Sequence, residues 1–264
     1  MDFRNALIWI TGASSGIGEA CAYDFSRRGA RCVLSARREE ALEAVRRNCA
    51  RPDEHLVVPL DLADPDTIDA AAERVQAEAG VVDLMLHNGG ISQRSLARET
   101  EDAVVRRLME VNFFGTVRLN QAVLPGMLAR RRGHIAIVTS LVGKFGTPLR
   151  SGYAASKHAL HGYFDSLRAE VYDDGVRVTL VCPGFIRTQV SNNALTADGT
   201  PQGRMDEAQA SGMAPETCAR AIAGSVEAEK DEVYIGGREV AGVYLKRLSP
   251  TLFNRMIRSV SVTR

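Results

Sequence analysis

Three side chains suited to acid–base chemistry follow one another in the second half of the chain: Ser140, Tyr153 and Lys157. The tyrosine and the lysine stand at positions i and i+4, so a helix would place both on one face. A free phenol has a pKa of about 10 and is a poor base at neutral pH. A neighbouring ammonium favours the phenolate and brings that pKa closer to neutrality. The spacing therefore predicts a proton donor for a carbonyl oxygen, with Ser140 holding that oxygen.

A glycine-rich turn early in the chain supplies a partner for this chemistry. Residues Thr11–Gly18 read TGASSGIG between a predicted strand and a predicted helix. Glycines let the backbone turn tightly and approach a pyrophosphate, which then contacts the unpaired N–H groups of the helix N-terminus. A Tyr–Lys pair alone is common on helix surfaces, but beside a dinucleotide turn it favours hydride transfer. The turn residues expected to contact the cofactor are Gly12, Ser14, Ser15, Gly16, Ile17 and Gly18.

The end of the second predicted strand bears on the choice of nucleotide. An acidic residue at this point accepts the ribose 2′-OH of NAD, but the chain has Ala36 there. Arg37 can instead form charge-assisted bonds with a 2′-phosphate, and Arg38 is the next candidate. The alternative is that both arginines are solvated charges at a helix start. The missing acid and the adjacent base together favour NADP, as NADPH in the reducing direction, over NAD.

Two further strand ends carry candidate cofactor contacts. Asp61 could accept a hydrogen bond from an adenine amino group, although a turn or capping role is also open. The turn His87–Gly90 places Asn88 and Gly89 after the fourth strand. Doubly wound folds bind ligands at this carboxyl edge of the sheet.

Short apolar runs alternate with longer helical patterns along the chain. This alternation predicts an α/β fold, a doubly wound parallel Rossmann sheet of about seven strands with helices on both faces. No linker interrupts the series, which favours one domain over residues 1–264. The predicted strands are Ala6–Thr11, Arg31–Ala36, His55–Leu60, Val82–His87, His134–Thr139, Val176–Cys182 and Glu232–Ile235. The predicted helices are 17–28, 39–49, 65–79, 101–131, 152–173 and 215–229.

Two segments fall outside this alternation. Residues 184–214 have weak periodicity, which is typical of a lid or binding loop. Residues 238–264 form a C-terminal extension with apolar residues at near-helical spacing among basic ones. The extension could cover the substrate pocket, pack on another subunit or touch an anionic membrane surface. Pocket or subunit packing is favoured because the stripe is short and only moderately basic.

Composition excludes several classes of protein. The 264 residues carry 33 Lys and Arg against 32 Asp and Glu, a net charge of +1 that does not suggest a nucleic-acid partner. The five cysteines are scattered, without a CxxC pair or a metal-ligand spacing, so no metal is expected. Reduced thiols and the lack of a signal peptide or a transmembrane-length apolar run favour a cytoplasmic protein.

Taken together, these motifs resemble the short-chain dehydrogenase/reductase superfamily over residues 5–237. Thr11–Gly18 is similar to its TGxxxGxG turn, His87–Gly90 to its NNAG turn, and Ser140 with Tyr153–Lys157 to its Ser…YxxxK set. The resemblance implies that Asn112 bends a helix and holds a water in the proton relay. Further cofactor contacts that it implies are those of Leu62, Pro183, Gly184, Ile186 and Thr188, with Tyr153 and Lys157 touching the nicotinamide riboside.

The chain departs from the family pattern at three positions. His87 and Gly89 differ from the NNAG turn, and Ser15 stands where many NADP-using members carry a base. The NADP hypothesis therefore depends on Arg37 and Arg38. Within the superfamily, the sequence around Tyr153 and the basic extension are most similar to the hydroxysteroid-dehydrogenase-like branch. Several eukaryotic members of that branch are membrane-anchored, and the anchor is not expected here.

The resemblance implies interconversion of an alcohol and its ketone or aldehyde. The expected pocket favours a lipophilic secondary alcohol over a sugar or an acid as the substrate. The expected pocket residues are mostly apolar and lack an obvious carboxylate clamp, apart from the distant possibility of Arg150; they are Leu141, Val142, Phe145, Thr147, Pro148, Phe185 and Ile186. One alternative is a 3-oxoacyl-carrier-protein reductase, which usually ends soon after its last strand. Another is a non-catalytic nucleotide sensor, which would have lost Tyr153 or Lys157.

Assembly is expected to follow the superfamily. Its members commonly form homodimers or homotetramers through the helices that correspond to residues 101–131 and 152–173. Small residues on the second helix would let a partner approach closely. The alternative is that they only let the helix lie near its own sheet. The residues concerned are Ala154, Ala155, Ala159 and Gly162.

Overall fold

The computed structural model describes residues 1–259 and places seven strands in one parallel sheet. The strand order is β3-β2-β1-β4-β5-β6-β7, which confirms the predicted doubly wound α/β fold. The strands are β1 Leu7–Thr11, β2 Arg31–Ser35, β3 Leu56–Val57, β4 Leu84–His87, β5 Gly133–Val138, β6 Val176–Pro183 and β7 Glu232–Ile235.

Helices cover both faces of this sheet. Within the described residues they are α1 Gly16–Arg27, α2 Glu39–Asn48, α3 Pro65–Glu78, α4 Asp102–Met109, α5 Gly115–Ala129, α6 Ser151–Val171, α7 Glu207–Ala210, α8 Pro215–Glu227, α9 Ala241–Leu248 and α10 Pro250–Ile257. No helix in residues 1–259 is both long enough and apolar enough to cross a bilayer.

The central strands are apolar on both faces because both faces are covered. Along β1, Ile8 and Ile10 pack into the core beneath α1 and α8, whereas Leu7 and Trp9 pack into the core on the opposite face. Such continuous apolar runs are typical of buried parallel strands. The indole N–H of Trp9 is satisfied by the Ser35 hydroxyl at 2.8 Å. The core thus holds the sheet rigid beneath its carboxyl edge.

The chain reverses its direction of winding between β1 and β4. These neighbours are paired in parallel, with Ile8 opposite Leu84. The connections that leave them run to opposite sides, so the loops after the two strands diverge and leave a crevice. This switch point positions the site described below.

Two predicted elements differ from the structure. The third strand is shorter than the predicted His55–Leu60, although the N–H groups of Val58 and Leu60 still donate to the carbonyl oxygens of Leu34 and Ala36. The predicted helix 101–131 is broken into α4 and α5 by a π-helical stretch, Glu110–Phe114. A one-residue excess of this kind is frequent at functional sites.

The segment 184–214 is tied down by polar contacts more than by apolar ones. It contains the short helix α7 and isolated bridges, among them Leu195 to Gln93. Ser191 and Asp206 are buried along with Ala194. The expected role of this segment as a lid or binding loop stays a prediction.

The C-terminal extension folds back onto the molecule as far as it is described. Val243 on α9 and Phe253 on α10 are buried in a cluster with Leu141, Val142 and Phe145. Residues 260–264, the end of the predicted extension, lie outside the described residues. The side chains that α9 and α10 leave exposed are Tyr244, Leu248, Leu252 and Met256.

Candidate active site

The loops at the carboxyl edge of the sheet line one cleft of about 1190 Å³. The two predicted site residues behind its wall are Gly18 and Asn112. The predicted residues that line it are Gly12, Ser14, Ser15, Gly16, Ile17, Arg37, Arg38, Asp61, Leu62, Asn88, Gly89, Ser140, Tyr153, Lys157, Pro183, Gly184, Ile186 and Thr188. Residues distant in the sequence thus meet where the crevice was expected.

The glycine-rich turn has the backbone geometry of a phosphate cradle. Gly12 and Gly16 have φ angles of 65° and 61°, in the left-handed region that favours glycine. A Cβ on Gly18 would collide with the carbonyl oxygen of Gly12, so this glycine lets α1 approach the turn. Ser15 at the N-cap of α1 makes no capping hydrogen bond with its side chain. The first N–H groups of α1 therefore remain available for an anion.

Asn88 supports this turn from behind. Its amide nitrogen donates to the carbonyl oxygens of Thr11 and Gly12, at 3.0 and 3.3 Å. The Thr11 hydroxyl accepts from the backbone N–H groups of Asn88 and Gly89, both at 3.0 Å. The Asn88 amide therefore bonds to the protein itself, and these hydrogen bonds hold the glycine-rich turn against the residues that follow β4.

Three guanidinium groups, those of Arg37, Arg38 and Arg107, also line the cleft. Arg37 and Arg38 are exposed, and neither has an ion-pair partner within residues 1–259. Arg107 on α4 is the third, and its Nη2 lies 3.6 Å from Oδ2 of Asp61. Oδ1 of Asp61 accepts from the Ala63 N–H at 3.0 Å, which is the turn role left open by the sequence. Arg107 was missed because no motif indicates that α4 crosses this point.

Tyr153 and Lys157 lie one turn apart on α6 and both face the cleft. The Lys157 ammonium is buried, donates to the carbonyl oxygen of Val138 at 3.0 Å and lies 5.8 Å from the centre of the Tyr153 ring. Burial lowers the pKa of Lys157 to about 8. Ser140, which follows β5, donates to the carbonyl oxygen of Pro183 at 3.3 Å. The spacing inferred from the sequence thus brings all three side chains to one place.

The acidity of Tyr153 differs from the expectation. Burial raises the pKa of its phenol above the ordinary value, while the charges of Arg150 and Arg94 and a hydrogen bond with Ser140 oppose that rise. Burial is the larger effect in the protein without ligand, and the lowering expected from Lys157 together with a bound nicotinamide stays a prediction. A protonated phenol is, however, the form that donates a proton to a carbonyl oxygen.

Asn112 lies inside the π-helical stretch and is completely buried. Its Oδ1 accepts from the Ile91 N–H at 2.8 Å, and its Nδ2 donates to the Ile91 carbonyl and to Ser156 Oγ at 3.0 and 2.9 Å. A Cβ on Gly90 would lie 2.9 Å from Oδ1 of Asn112 and 3.5 Å from Nζ of Lys157. Asn112 therefore lies next to the lysine, joining the loop after β4 to α6.

Gln93 is a positioning residue that sequence reasoning missed. Its buried Oε1 accepts from the N–H groups of Gly152 and Tyr153, at 2.7 and 3.2 Å. Its Nε2 donates to Thr100 Oγ1 at 2.9 Å, which orients the amide. Gln93 thereby satisfies the first turn of α6 and sets the start of the helix that carries the tyrosine. It comes from a loop 60 residues earlier, so no local pattern reveals it.

Three buried charges lie beside the tyrosine. Asp206 Oδ2 accepts from Nε and Nη2 of Arg94, at 2.8 and 2.6 Å. Arg150, the residue before α6, has its Nη2 3.8 Å from the same oxygen. Burial and the charge of Arg94 lower the pKa of Arg150 to about 10. The pair formed by Arg94 and Asp206 ties the segment 184–214 to the loop after β4.

The remaining end of the cleft is apolar and is partly built by the C-terminal extension. Phe145 packs against Phe253 of α10 with ring centres 5.0 Å apart. Pro148, a predicted pocket residue, does not line the cleft, whereas Thr147 does. Covering the pocket is therefore one role of the extension. The lining residues that the extension adds beyond Phe253 are Arg238, Glu239, Ala241, Gly242, Leu245, Met256 and Ile257.

A second polar cluster lies behind the cleft. The potential ligand atoms of His161, Cys182 and Glu232 are all within 4.8 Å of one another. Lys144 Nζ lies 2.5 Å from Glu232 Oε1 and balances its charge. Burial raises the pKa of the Cys182 thiol to about 12 and lowers that of His161 to about 4. The cluster thus consists of a protonated thiol, a neutral imidazole and a closed ion pair.

Solved structures share this arrangement of strands and helices. A short-chain dehydrogenase/reductase from Burkholderia phymatum, in complex with NAD, superposes with a TM-score of 0.85 at 23% identity, and the alignment covers 96% of each chain. A short-chain dehydrogenase from Burkholderia cenocepacia, in complex with NADP, gives a TM-score of 0.81 at 24% identity, covering 98% of this chain and 100% of that one. At these identities the likeness is one of fold.

Sequence comparison is more specific. The model of the short chain dehydrogenase family matches residues 6–198. The Bos taurus protein named dehydrogenase/reductase SDR family member 7B is 43% identical over 264 residues, which covers 97% of this chain and 81% of the bovine protein. The chain therefore belongs to the short-chain dehydrogenase/reductase family of oxidoreductases.

Proposed function

We propose that the protein is an NADP(H)-dependent enzyme that interconverts a lipophilic alcohol and its ketone or aldehyde. The observation that carries the proposal is the meeting of Ser140, Tyr153 and Lys157 in one cleft with the glycine-rich turn. One end of the cleft offers N–H groups and guanidinium groups, and the other offers apolar side chains. A dinucleotide and a lipophilic substrate would therefore meet at the tyrosine.

The residues present fit a dinucleotide. The α1 N-terminus and the positive-φ glycines of the turn suit a pyrophosphate. The fold of the solved neighbours accommodates either nucleotide, since one is a complex with NAD and the other a complex with NADP. Arg37 and Arg38, with Arg107 nearby, support a preference for NADP. Within residues 1–259 no carboxylate pairs with Arg37 or Arg38, so a 2′-phosphate would neutralise their charge.

Each catalytic side chain has a task in the reducing direction. When bound, the nicotinamide supplies the hydride that the carbonyl carbon accepts. Tyr153 donates its phenolic proton to the carbonyl oxygen, so the carbonyl gains one hydride and one proton and becomes the alcohol. Ser140 holds that oxygen, and Lys157 binds the ribose hydroxyls and stabilises the phenolate left on Tyr153. Asn112 joins the loop after β4 to α6 and so positions the helix that carries Tyr153 and Lys157.

The proposal is tested by following the oxidation of NADPH and of NADH with a panel of carbonyl compounds. Apolar ketones and aldehydes should be reduced with NADPH, and 3-oxoacyl thioesters should be poorer substrates. Preferred turnover of the thioesters would support the 3-oxoacyl-carrier-protein reductase instead. Nucleotide binding without turnover of any carbonyl would support the non-catalytic sensor and contradict the enzyme.

Replacing Arg37 with aspartate should shift the preference from NADP towards NAD. The change removes a phosphate partner, adds a repulsive charge and supplies an acceptor for the ribose 2′-OH. A hydrogen bond to a charged group contributes about 1.5–3 kcal/mol, so the Kd of NADPH should rise roughly tenfold to a hundredfold. Binding of both nucleotides is measured by titration calorimetry. The matched control is Arg47→Asp, the same charge change at an exposed position of α2 outside the cleft. If Arg37→Asp binds NADPH as tightly as the parent, Arg38 becomes the candidate.

We further propose that α5 and α6 form the contact between subunits. Ala155 and Gly162 are exposed on α6, and Phe114 is exposed beside α5, whereas Ala154 packs inside its own subunit. A Cβ on Gly162 would meet no atom within 4 Å, so Gly162→Arg should fold normally. We expect Gly162→Arg to lower the molar mass of the assembled protein, as measured by light scattering. Gly224→Arg, at an equally open helical glycine of α8, should leave that mass unchanged. An unaltered mass for Gly162→Arg would contradict the assignment.

A further inference from the structure

Arg150 is buried in the wall of the cleft without a hydrogen-bond partner. Its side chain is only 9% exposed. No described residue, from 1 to 259, accepts a hydrogen bond from its guanidinium, and Nε and Nη2 are fully buried. The guanidinium lies 5.8 Å from the centre of the Phe185 ring, which is an apolar neighbour. Buried guanidinium groups are normally paired, because leaving the charge unpaired is unfavourable.

The nearest carboxylate does not satisfy Arg150. Oδ2 of Asp206 already accepts two hydrogen bonds from Arg94, and Nη2 of Arg150 lies 3.8 Å away, beyond hydrogen-bond distance. Oδ1 of Asp206 accepts from Gln202 Nε2 at 3.1 Å. Two buried cations therefore share one carboxylate, and one positive charge is left over beside Tyr153.

A second unpartnered group lies in the same loop. The hydroxyl oxygen of Thr147 is buried without a hydrogen-bond partner, and Thr147 lines the cleft with Arg150 and Tyr153. A guanidinium without a hydrogen-bond partner is a donor that suits a carboxylate, and Nη1 is the nitrogen of Arg150 that the described residues do not enclose. The rest of this end is apolar, with Val142, Phe145 and Phe253.

We propose that Arg150 binds a carboxylate of the substrate, close to the carbon that is reduced, and that the substrate is an oxo acid with an apolar chain. The inference rests on the proposed function, because the carboxylate belongs to the molecule that is reduced at Tyr153. The step is unchanged: the oxo carbon accepts a hydride, its oxygen accepts the Tyr153 proton, and the product is the hydroxy acid. The carboxylate takes no part in bond making. It neutralises the remaining charge and orients the substrate.

Arg150 also has a second effect that the test must separate. Its charge opposes the burial-induced rise in the pKa of Tyr153, so its removal alters the reduction of every substrate. The ratio of kcat/KM for an acid to kcat/KM for its own methyl ester cancels this shared effect. Only a contact with the carboxylate changes the ratio.

The first experiment compares α-oxo-octanoate and β-oxo-octanoate with their methyl esters. In the parent protein we expect kcat/KM to favour at least one acid over its ester by about tenfold or more, the effect of one charge-assisted hydrogen bond. In Arg150→Met, which keeps the length of the side chain without its charge, the ratio should fall to about one. In Arg150→Lys it should be intermediate, since lysine cannot form the bidentate contact. The exposed control Arg247→Met should retain the ratio of the parent.

The second experiment measures binding alone. Octanoate and octanamide cannot be reduced, so calorimetric titration of the NADP-loaded protein reports the contact without turnover. Octanoate should bind about tenfold more tightly than octanamide to the parent and equally to Arg150→Met. Esters reduced as well as acids, or an unchanged ratio in Arg150→Met, would overturn the inference and leave the proposed function standing. Octanoate binding that depends on Arg150, without reduction of any carbonyl, would uphold the carboxylate contact and overturn the proposed function.

Discussion

Tyr153→Phe is expected to lower turnover by at least about 100-fold, the lower end of general acid–base contributions. The phenylalanine keeps the ring and its packing but has no proton to give to the carbonyl oxygen. Binding of NADPH should change little, because the glycine-rich turn and Arg37 lie at the other end of the cleft. Steady-state kinetics and calorimetric titration of NADPH measure the two effects separately.

The matched control is Tyr172→Phe, which removes an exposed phenol immediately after the same helix. It should retain the turnover of the parent. If Tyr153→Phe has the turnover of the parent protein, Tyr153 is not the acid that donates the proton. Loss of NADPH binding together with turnover would instead indicate that the substitution disturbed the cofactor site.

Asp206→Asn is expected to destabilise the protein by about 3–5 kcal/mol, because it leaves buried positive charge without its carboxylate. Asp206 is 1% exposed and faces both Arg94 and Arg150. Since this ion pair ties the segment 184–214 to the loop after β4, the first consequence should be faster hydrogen exchange in that segment. Urea unfolding then measures how much the free energy of unfolding of the whole protein falls.

An exposed pair of the same composition provides the control. Asp102 and Arg106 form an ion pair on α4 with side chains 77% and 79% exposed. Asp102→Asn should cost no more than about 1 kcal/mol, since solvent screens the pair. If Asp206→Asn matches this control in both unfolding free energy and hydrogen exchange, the buried pair does not hold the segment.

The pair at Asp206 and the site at Tyr153 are physically linked. Arg94 is the next residue after Gln93, and Gln93 accepts hydrogen bonds from the first N–H groups of α6. A change that loosens the loop after β4 would therefore shift Tyr153 as well. Segment 184–214, Gln93 and Tyr153 are therefore structurally coupled, although they are separated along the chain.

The sequence by itself determined the fold and indicated the side chains that are proposed to react. Alternating short apolar runs and helical patterns specify a parallel sheet, because both faces of each strand must be covered. Ser140, Tyr153, Lys157 and the glycine-rich turn were found because each is defined by local spacing, within a turn or along one helix. These signals depend on a few consecutive residues and need no knowledge of the rest of the chain.

Only the tertiary structure decided the electrostatics of the site. Gln93, Arg107 and Asp206 come from distant loops and helices, and no local pattern shows that they meet at the cleft. The acidity of Tyr153 in the protein without ligand was hidden for the same reason: burial raises the pKa of its phenol and outweighs the opposing charge of Arg150. Burial and pairing are properties of the whole fold, because they depend on which groups share the space. The unpaired charge of Arg150 therefore became visible only once the carboxylate of Asp206 was seen to be occupied by Arg94.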